Sequence, residues 1–129
     1  ENGRVILQVN PINNGGITED IMIVSMDGKL DTSTSGQARD QMNEIATSGM
    51  TKVVLNLSEL IYVSSAGLSV ILSASKLLLS HRGELVICNA NELVGEVLAT
   101  SGFNHLVQIV EDENAAIESF KSLSNSDQL

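Results

Sequence analysis

Two adjacent serines, Ser64 and Ser65, stand immediately before a long apolar segment that begins near Leu68. The apolar segment predicts a helix, so both hydroxyls should lie at its N-terminus. The free backbone amides and the positive dipole end of a helix favour anions, and this position could accommodate a phosphate on a serine. Serine is also a preferred N-cap residue, which gives a purely structural interpretation of the pair. The two roles can coexist, with Ser64 as the cap and Ser65 exposed.

A strand, a sharp turn carrying serine and a helix also resemble the nucleophile elbow of the α/β-hydrolases. That motif needs glycine two residues before and two after the serine; Gly67 supplies the second, but Val63 stands in place of the first. A serine nucleophile also needs a base, and the sequence has two histidines, His81 and His105. We expect His81 more than about 20 Å away, at the far end of the helix, and His105 in a surface loop. A serine hydrolase is therefore the disfavoured alternative.

Other kinds of catalytic or binding site find little support. The acids around the first predicted helix are scattered, and the buried strand at 53–57 is not followed by converging acids, which disfavours a phospho-receiver. No GxxxxGK[ST] motif is present, so a nucleotide phosphate loop is not expected. The single cysteine, Cys88, excludes an internal disulfide and a multi-cysteine zinc site. We predict no catalytic residue, no metal and no cofactor, and we do not expect an enzyme.

The first half of the chain predicts two strands and a helix in front of the buried strand. Residues 5–9 and 21–24 are apolar strand candidates, and the turn cluster at 13–16 should pair them antiparallel. Residues 27–31 are interpreted as a loop, followed by Thr32 and Ser33 as candidate N-caps of a helix that Gly49 ends. Residues 53–57 are β-branched and nearly all apolar, which is typical of a strand covered on both faces.

The second half alternates helices and strands. The helix near Ser65 should be almost wholly buried, with His81 and Arg82 at its C-terminal end and Gly83 stopping it. A strand at 85–88, a helix capped by Asn91, a strand at 106–110 and a helix capped by Asp112 follow. The predicted buried face of the helix near Ser65 consists of Leu68, Ile71, Leu72 and Leu79, and that of the last helix consists of Ala116, Ile117, Phe120 and Leu123.

The element order is therefore β-β-α-β-α-β-α-β-α. It predicts one small α/β domain with a mixed, mostly parallel sheet of about five strands and helices packed on it. We expect a core over residues 4–123 and a disordered tail at 124–129. The loop after the second strand and the serine turn should meet at one edge of the sheet, where ligands of open α/β sheets bind.

Charge and composition narrow the class of partner. The chain has 129 residues, a formal net charge of −9 and 2% aromatic residues, with no tryptophan. Such a surface repels nucleic acid and anionic membrane and offers no platform for stacking bases. We expect a protein partner with a basic patch, and a cytoplasmic location.

Three segments together resemble the anti-sigma factor antagonist family, bacterial proteins built on a STAS domain. Residues 28–31 are similar to the Gly-x-Leu-Asp before the family's first helix, and 53–58 with 62–68 look like its buried strand and phosphorylatable serine turn. The C-terminal segment of the family is similar to residues 101–103 and to the strand, the acidic pair and the alanine pair that follow them. The resemblance covers roughly residues 5–123, and the order of elements agrees.

This resemblance implies a partner switch. The unmodified domain would bind an anti-sigma factor that is also a serine kinase, releasing a sigma factor for transcription; phosphorylation would end the complex and a phosphatase would restore it. Alignment through Gly67 places the family's phosphoserine on Ser65, with Ser64 as the alternative. A STAS subunit of another signalling or transport assembly, without a phosphoserine, is the alternative among binding modules. The partner-binding residues implied are Gly28, Leu30, Asp31, Thr32, Ser33, Tyr62, Val63, Ser64, Ser65, Ala66, Gly67 and Leu68.

Overall fold

The computed structural model describes residues 8–13, 20–49 and 51–127, in which five strands, four α-helices and one short 3-10 helix form. The strands are β1 Gln8–Asn13, β2 Asp20–Leu30, β3 Lys52–Val63, β4 Glu84–Cys88 and β5 Gln108–Val110. The helices are α1 Ser35–Ala46, α2 Ser65–Ser80, α3 Glu92–Thr100 and α4 Glu113–Asp127, and the 3-10 turn Phe103–His105 connects α3 to β5.

The five described strands lie in one sheet in chain order, with β3 at its centre. β1 pairs antiparallel with β2, and the later pairs are parallel. The mixed sheet and the order of its elements are thereby confirmed. Because crossovers between parallel strands are right-handed, strands that follow one another in chain order put their connecting helices on one face. α1, α2 and α3 cover that face, and α4 covers the other.

Buried side chains form a separate core on each face of the sheet. Val53 and Leu55 of β3 belong to the larger core beneath α1, α2 and α3, while Val54 belongs to the smaller core beneath α4. Cys88 and Phe120 also lie in the smaller core. A strand buried on both faces has no polar alternation, which explains the nearly unbroken apolar run of β3.

The first hairpin differs in its boundaries from the prediction. β1 continues beyond the predicted end at Val9 to Asn13, where it pairs with Asp20 of β2. Residues 5–7 of the predicted first strand and 14–16 of the predicted turn lie outside the described residues.

The predicted loop at 27–31 is wrong over residues 27–30, which continue β2. β2 and β3 stay paired until Leu30 lies beside Val63, well past the end of β4 at Cys88. Gly28 has a φ of 91°, a left-handed conformation that favours glycine and that a regular strand residue does not adopt. The glycine therefore marks an irregularity within β2 and not its end.

Because β3 contains two β-bulges, the sequence pattern does not show the full length of β2 or of β3. Between Asn56 and Glu59, β3 advances three residues while β2 advances two; between Leu60 and Tyr62, β3 advances two while β2 advances one. Each step places an extra residue in β3. Burial consequently recurs at every third position instead of every second, which a search for alternation does not recognise. The buried residues from the first bulge onwards are Leu57, Leu60 and Val63.

The buried face of α2 is only partly as predicted. Ile71 is buried, but Leu68 and Leu72 are half-buried and Leu79 is exposed, so the assignment of Leu79 to the core is wrong. The neighbouring Leu78 is fully buried instead. Periodicity alone could not choose between adjacent leucines, because α2 is apolar on nearly all sides.

The C-terminus of α2 also differs from the prediction. Arg82, and not Gly83, adopts the left-handed conformation, with a φ of 64°. Gly83 is required for space, since a Cβ there would lie 2.9 Å from the carbonyl oxygen of Thr51.

The remaining helix boundaries follow the sequence more closely. Asn91 and Asp112 accept backbone amides at the starts of α3 and α4, from Val94 at 2.8 Å and from Ala115 at 2.8 Å, as predicted. Gly49 and Gly102 take left-handed conformations after α1 and α3. The last strand is shorter than predicted, because residues 106 and 107 form a turn after the 3-10 helix.

α4 reaches Asp127 and so extends into the tail for which the sequence predicts disorder. Ala116 and Phe120 are buried on its inner face and Ile117 is half-buried. Leu123 lies outside the residues whose side chains are described. Among the described helices, none is both long and apolar enough to cross a membrane.

Candidate functional site

The predicted site is built where β2 and β3 end side by side. Leu30 and Val63 are register partners, and the amide of Ser64 donates to the carbonyl oxygen of Leu30 at 2.9 Å. The turn from β2 to α1 and the turn from β3 to α2 therefore begin side by side. This end of the sheet, where β2 to β5 terminate, is called the carboxyl edge below.

Gly67 lets α2 begin in direct contact with the end of β2. A Cβ at this position would lie 2.5 Å from the carbonyl oxygen of Leu30 and 2.9 Å from Cγ2 of Val63. Because these atoms are backbone and buried core, they cannot move aside at low cost. Glycine is therefore needed for close approach, and it holds the serine turn against β2.

The two serines occupy different environments. Ser64 has extended backbone angles, and its hydroxyl accepts the amide of Gly67 at 3.3 Å, which makes it the N-cap of α2. Ser65 is the first residue of the helix, and its side chain is exposed. Within the part of the chain that the structure describes, no hydrogen bond engages the Ser65 hydroxyl. The predicted division between a capping Ser64 and an exposed Ser65 is confirmed.

Asp31 organises the turn that leads into α1. Its Oδ1 accepts the hydroxyl of Ser33 at 2.8 Å and the amides of Ser33 and Thr34 at 3.0 and 3.3 Å. The hydroxyl of Ser33, followed by these amides, lowers the pKa of the Asp31 carboxyl below its ordinary value of 3.8. The carboxylate is held in place and ionised near the carboxyl edge.

Thr34 is the residue of this turn that sequence reasoning missed. Its side chain is buried, donates to the carbonyl oxygen of Lys29 at 2.7 Å and accepts the amide of Asp31 at 2.9 Å. It is also the residue before α1, where it makes no side-chain cap, so the prediction of Thr32 and Ser33 as caps is wrong. The Asp-x-x-Thr spacing was the available signal, since aspartate readily bonds amides two or three residues ahead.

The predicted partner-binding residues divide into exposed and buried groups. Thr32, Ser33, Tyr62 and Ser65 are exposed, and Gly28, Asp31, Ser64, Ala66 and Leu68 are half-buried. Leu30, Val63 and Gly67 are buried, so they support the surface from beneath instead of offering contacts to a partner.

The β4–α3 junction also reaches this edge, which the sequence did not indicate. The side-chain amide of Asn91 donates to the carbonyl oxygen of Leu60 at 2.9 Å while its carbonyl oxygen caps α3. The first turn of α3 is thereby fastened to the bulged end of β3. Leu93 in this turn is exposed.

Neither histidine is placed to activate the serines. His81 follows the last residue of the 16-residue α2, about 24 Å from its start at a rise of about 1.5 Å per residue. His105 lies before β5, at the opposite edge of the sheet, and is exposed. Neither can supply the base that a hydrolytic Ser64 or Ser65 would need.

Asn56 and Cys88 have structural roles. Asn56 donates to Glu113 at 2.5 Å and accepts the amide of Ser58 at 2.8 Å, joining α4 to the first bulge of β3. Burial, with smaller effects from Glu113 and Asp112, raises the pKa of the Cys88 thiol to about 12. Over the residues that the structure describes, no group of three or more His, Cys, Asp or Glu could hold a metal.

Comparison with known proteins gives a family that covers most of the chain. The STAS domain family matches residues 16–116. An anti-sigma F factor antagonist from Paenibacillus polymyxa is 34% identical over 105 residues, which cover 81% of this chain and 90% of that protein.

Two solved structures share the fold. The crystal structure of the Thermotoga maritima protein TM1081 superposes with a TM-score of 0.77 at 21% identity, over 88% of this chain and 92% of that one. The phosphorylated form of the Bacillus cell fate determinant SpoIIAA superposes with a TM-score of 0.63 at 20% identity, over 89% and 99%. The mixed sheet with helices on both faces is thus a known fold.

Proposed function

The chain belongs to the STAS domain family, among its anti-sigma factor antagonists, and from this premise we propose that it binds an anti-sigma factor and so releases a sigma factor. The observation that carries the proposal is the carboxyl edge, where an ionised Asp31 and an exposed Ser65 lie on adjoining turns. Ligands of open α/β sheets bind at this edge. We propose that its exposed and half-buried predicted residues contact the anti-sigma factor.

Ser65 is the proposed phosphoacceptor, and Ser64 is the alternative. Ser65 is exposed and its hydroxyl is free of the capping bond that occupies Ser64. Support also comes from the SpoIIAA relative in fold, whose structure is that of a phosphorylated form.

Phosphorylation would end the complex through charge and size. A phosphate adds about −1.5 to −2 charges at neutral pH. In the centre of an interface, it would have to lose its hydration and would clash with groups fitted around a small hydroxyl. The fold itself would tolerate the change, since an anion at a helix N-terminus is mildly favourable.

Two further proteins belong to this proposal. The anti-sigma factor would itself be the serine kinase, and a serine phosphatase would restore the unmodified form. The cycle would then operate in the bacterial cytoplasm as a control on transcription.

The first experiment is capture of the partner from source cells. Tagged Ser65→Ala should retain the anti-sigma factor, because alanine keeps the small footprint and cannot be phosphorylated. Tagged Ser65→Asp is the matched control and should not retain it. Mass spectrometry should therefore find a kinase-class anti-sigma factor in the Ser65→Ala eluate and not in the Ser65→Asp eluate. If both baits recover it equally, Ser65 is not the switch; if neither does, the antagonist function is wrong.

A further inference from the structure

The bulged end of β3 turns large apolar side chains outwards at the carboxyl edge. Ile61 is 58% exposed and Tyr62 is 42% exposed, although both lie within a strand. The second bulge causes this, because its extra residue between Leu60 and Tyr62 interrupts the alternation that would otherwise bury Ile61 or Tyr62. Bulges commonly re-aim side chains next to functional sites.

Leu93 extends this apolar surface onto α3. It is 53% exposed, and Asn91, two residues earlier, is bonded to the carbonyl oxygen of Leu60, the residue before Ile61. Ile61, Tyr62 and Leu93 are called the anchor patch below. Of the five large apolar side chains that are exposed in the described chain, these three lie at one edge.

Carboxylates adjoin the anchor patch in the chain and in strand register. Asp27 and Glu59 are register partners on β2 and β3, and like charges side by side on neighbouring strands repel each other. Glu92 precedes Leu93 and is exposed. Lys29, the half-buried register partner of Tyr62, supplies one cation beside these three acids.

We propose that the anchor patch is a second contact for the anti-sigma factor, which meets it with an apolar segment flanked by Lys or Arg. The inference rests on the proposed function and extends its surface beyond the residues implied by the family resemblance, to Ile61 and Leu93. Tyr62 joins the patch to the serine turn, only three residues from Ser65. Tyrosine is also among the side chains that most often dominate interface energies.

Charge decides between this occupant and a second copy of the chain. Two copies, each with a net charge of −9, would bring the same carboxylates together at this edge. A partner carrying cations relieves the repulsion between Asp27 and Glu59 and covers the exposed apolar area. The patch therefore suits a basic protein surface better than self-association.

The test is a titration of the anti-sigma factor captured above, purified, against four forms of this protein. Ile61→Ser and Leu93→Ser should each weaken the affinity about tenfold, the usual scale for truncation of a well-buried interface residue. Leu106→Ser is the matched control: Leu106 is 59% exposed, but it lies before β5 at the opposite edge. Its affinity should stay within about twofold of the parent. Thermal melts of all four forms show whether each variant folds.

Each outcome has a distinct meaning. Parent-like affinity of folded Ile61→Ser and Leu93→Ser, with Ser65→Asp still impaired, overturns the anchor patch and leaves the proposed function intact. An equal loss in Leu106→Ser also overturns it, because the effect would not be local to the edge. Failure of the parent to bind would refute the proposed function and the patch together.

Discussion

Ser64 and Ser65 are neighbours in the chain, yet the helix start gives them different chemistry. Ser64 accepts a backbone amide and is half-buried, whereas Ser65 is exposed on the first turn of α2. A kinase must reach the hydroxyl that it modifies, and the hydroxyl of Ser65 is the more accessible of the two. Modification of Ser65 leaves the cap intact.

The cognate kinase with ATP should therefore add one phosphate, on Ser65. Ser65→Ala should resist phosphorylation and keep its affinity for the anti-sigma factor, while Ser65→Asp should bind poorly. Peptide mass spectrometry locates the phosphate, and calorimetry compares the affinities. Ser64→Ala is the matched control, which should still be phosphorylated but should lose stability. A phosphate on Ser64 would move the acceptor by one residue.

Asp31 has a structural role in its turn and a proposed electrostatic role in binding, and a change to asparagine separates the two. The asparagine side chain would keep an oxygen to accept the amides of Ser33 and Thr34 but would carry no charge. Asp31→Asn should therefore fold like the parent and bind the anti-sigma factor more weakly, whereas Asp31→Ala should lose both the turn and the binding. Binding of Asp31→Asn equal to that of the parent would remove this charge from the interface.

The pH dependence of stability provides an independent check on Asp31. Because its pKa is lower in the folded chain than the ordinary 3.8, folding favours the carboxylate. The resulting stabilisation is present above pH 3.8 and disappears as the pH falls through the folded-state value. The difference in melting temperature between parent and Asp31→Ala should accordingly shrink on acidification through this range.

At the scale of elements, α2 provides a matched pair of neighbouring leucines. Leu78 is 0% exposed in the larger core and Leu79 is 58% exposed on the same turn. Leu78→Ala should reduce the free energy of unfolding by about 2–5 kcal/mol, as buried leucine truncations do. Leu79→Ala should change it by less than about 0.5 kcal/mol. Denaturant titration measures both, and similar losses would contradict the placement of α2 on the sheet.

The sequence predicts the elements well where one periodicity holds and fails where it changes. β4 and the helix capped by Asn91 follow from simple patterns. The bulges of β3 replace a period of two by a period of three, so the predicted strands end too early, at Leu57 in β3 and at Val24 in β2. The bond from Asn91 to Leu60 joins residues 31 apart, and no local pattern contains it. Ile61 and Leu93 consequently escape a sequence search, although Ser65 does not.

The reactivity of the Cys88 thiol measures how firmly α4 packs on the sheet. The thiol is buried in the smaller core beneath this helix, to which Phe120 also belongs, and its pKa is raised to about 12. At pH 8, a disulfide reagent such as DTNB should therefore react only when α4 opens. Phe120→Ala should accelerate the reaction at least tenfold, because loss of this side chain weakens the core under α4 by about 3–5 kcal/mol. Leu106→Ser, away from this core, should leave the rate unchanged; fast labelling of the parent would contradict the burial of Cys88.

On the scale of the whole molecule, charge and shape favour one end of the protein for the proposed interaction. The chain carries a net charge of −9, and its parallel strands bring their C-terminal turns to a single edge. That edge holds Asp31, Glu59 and Glu92, together with the anchor patch and the serine turn. Long-range attraction should guide a basic partner towards the protein, while local carboxylates should orient it. These two effects can be separated, because a change in net charge can be made at either end.

Glu92→Lys and Glu44→Lys each change the net charge by +2, from −9 to −7. Both residues are exposed, but Glu92 starts α3 at the carboxyl edge, whereas Glu44 lies in the last turn of α1 at the opposite edge. Stopped-flow association with the anti-sigma factor at low salt should be slowed severalfold more by Glu92→Lys than by Glu44→Lys. Added salt should reduce the difference, since the screening length falls to about 8 Å at physiological ionic strength. Equal slowing by both variants would mean that net charge alone governs encounter, and that the carboxyl edge does not orient the partner.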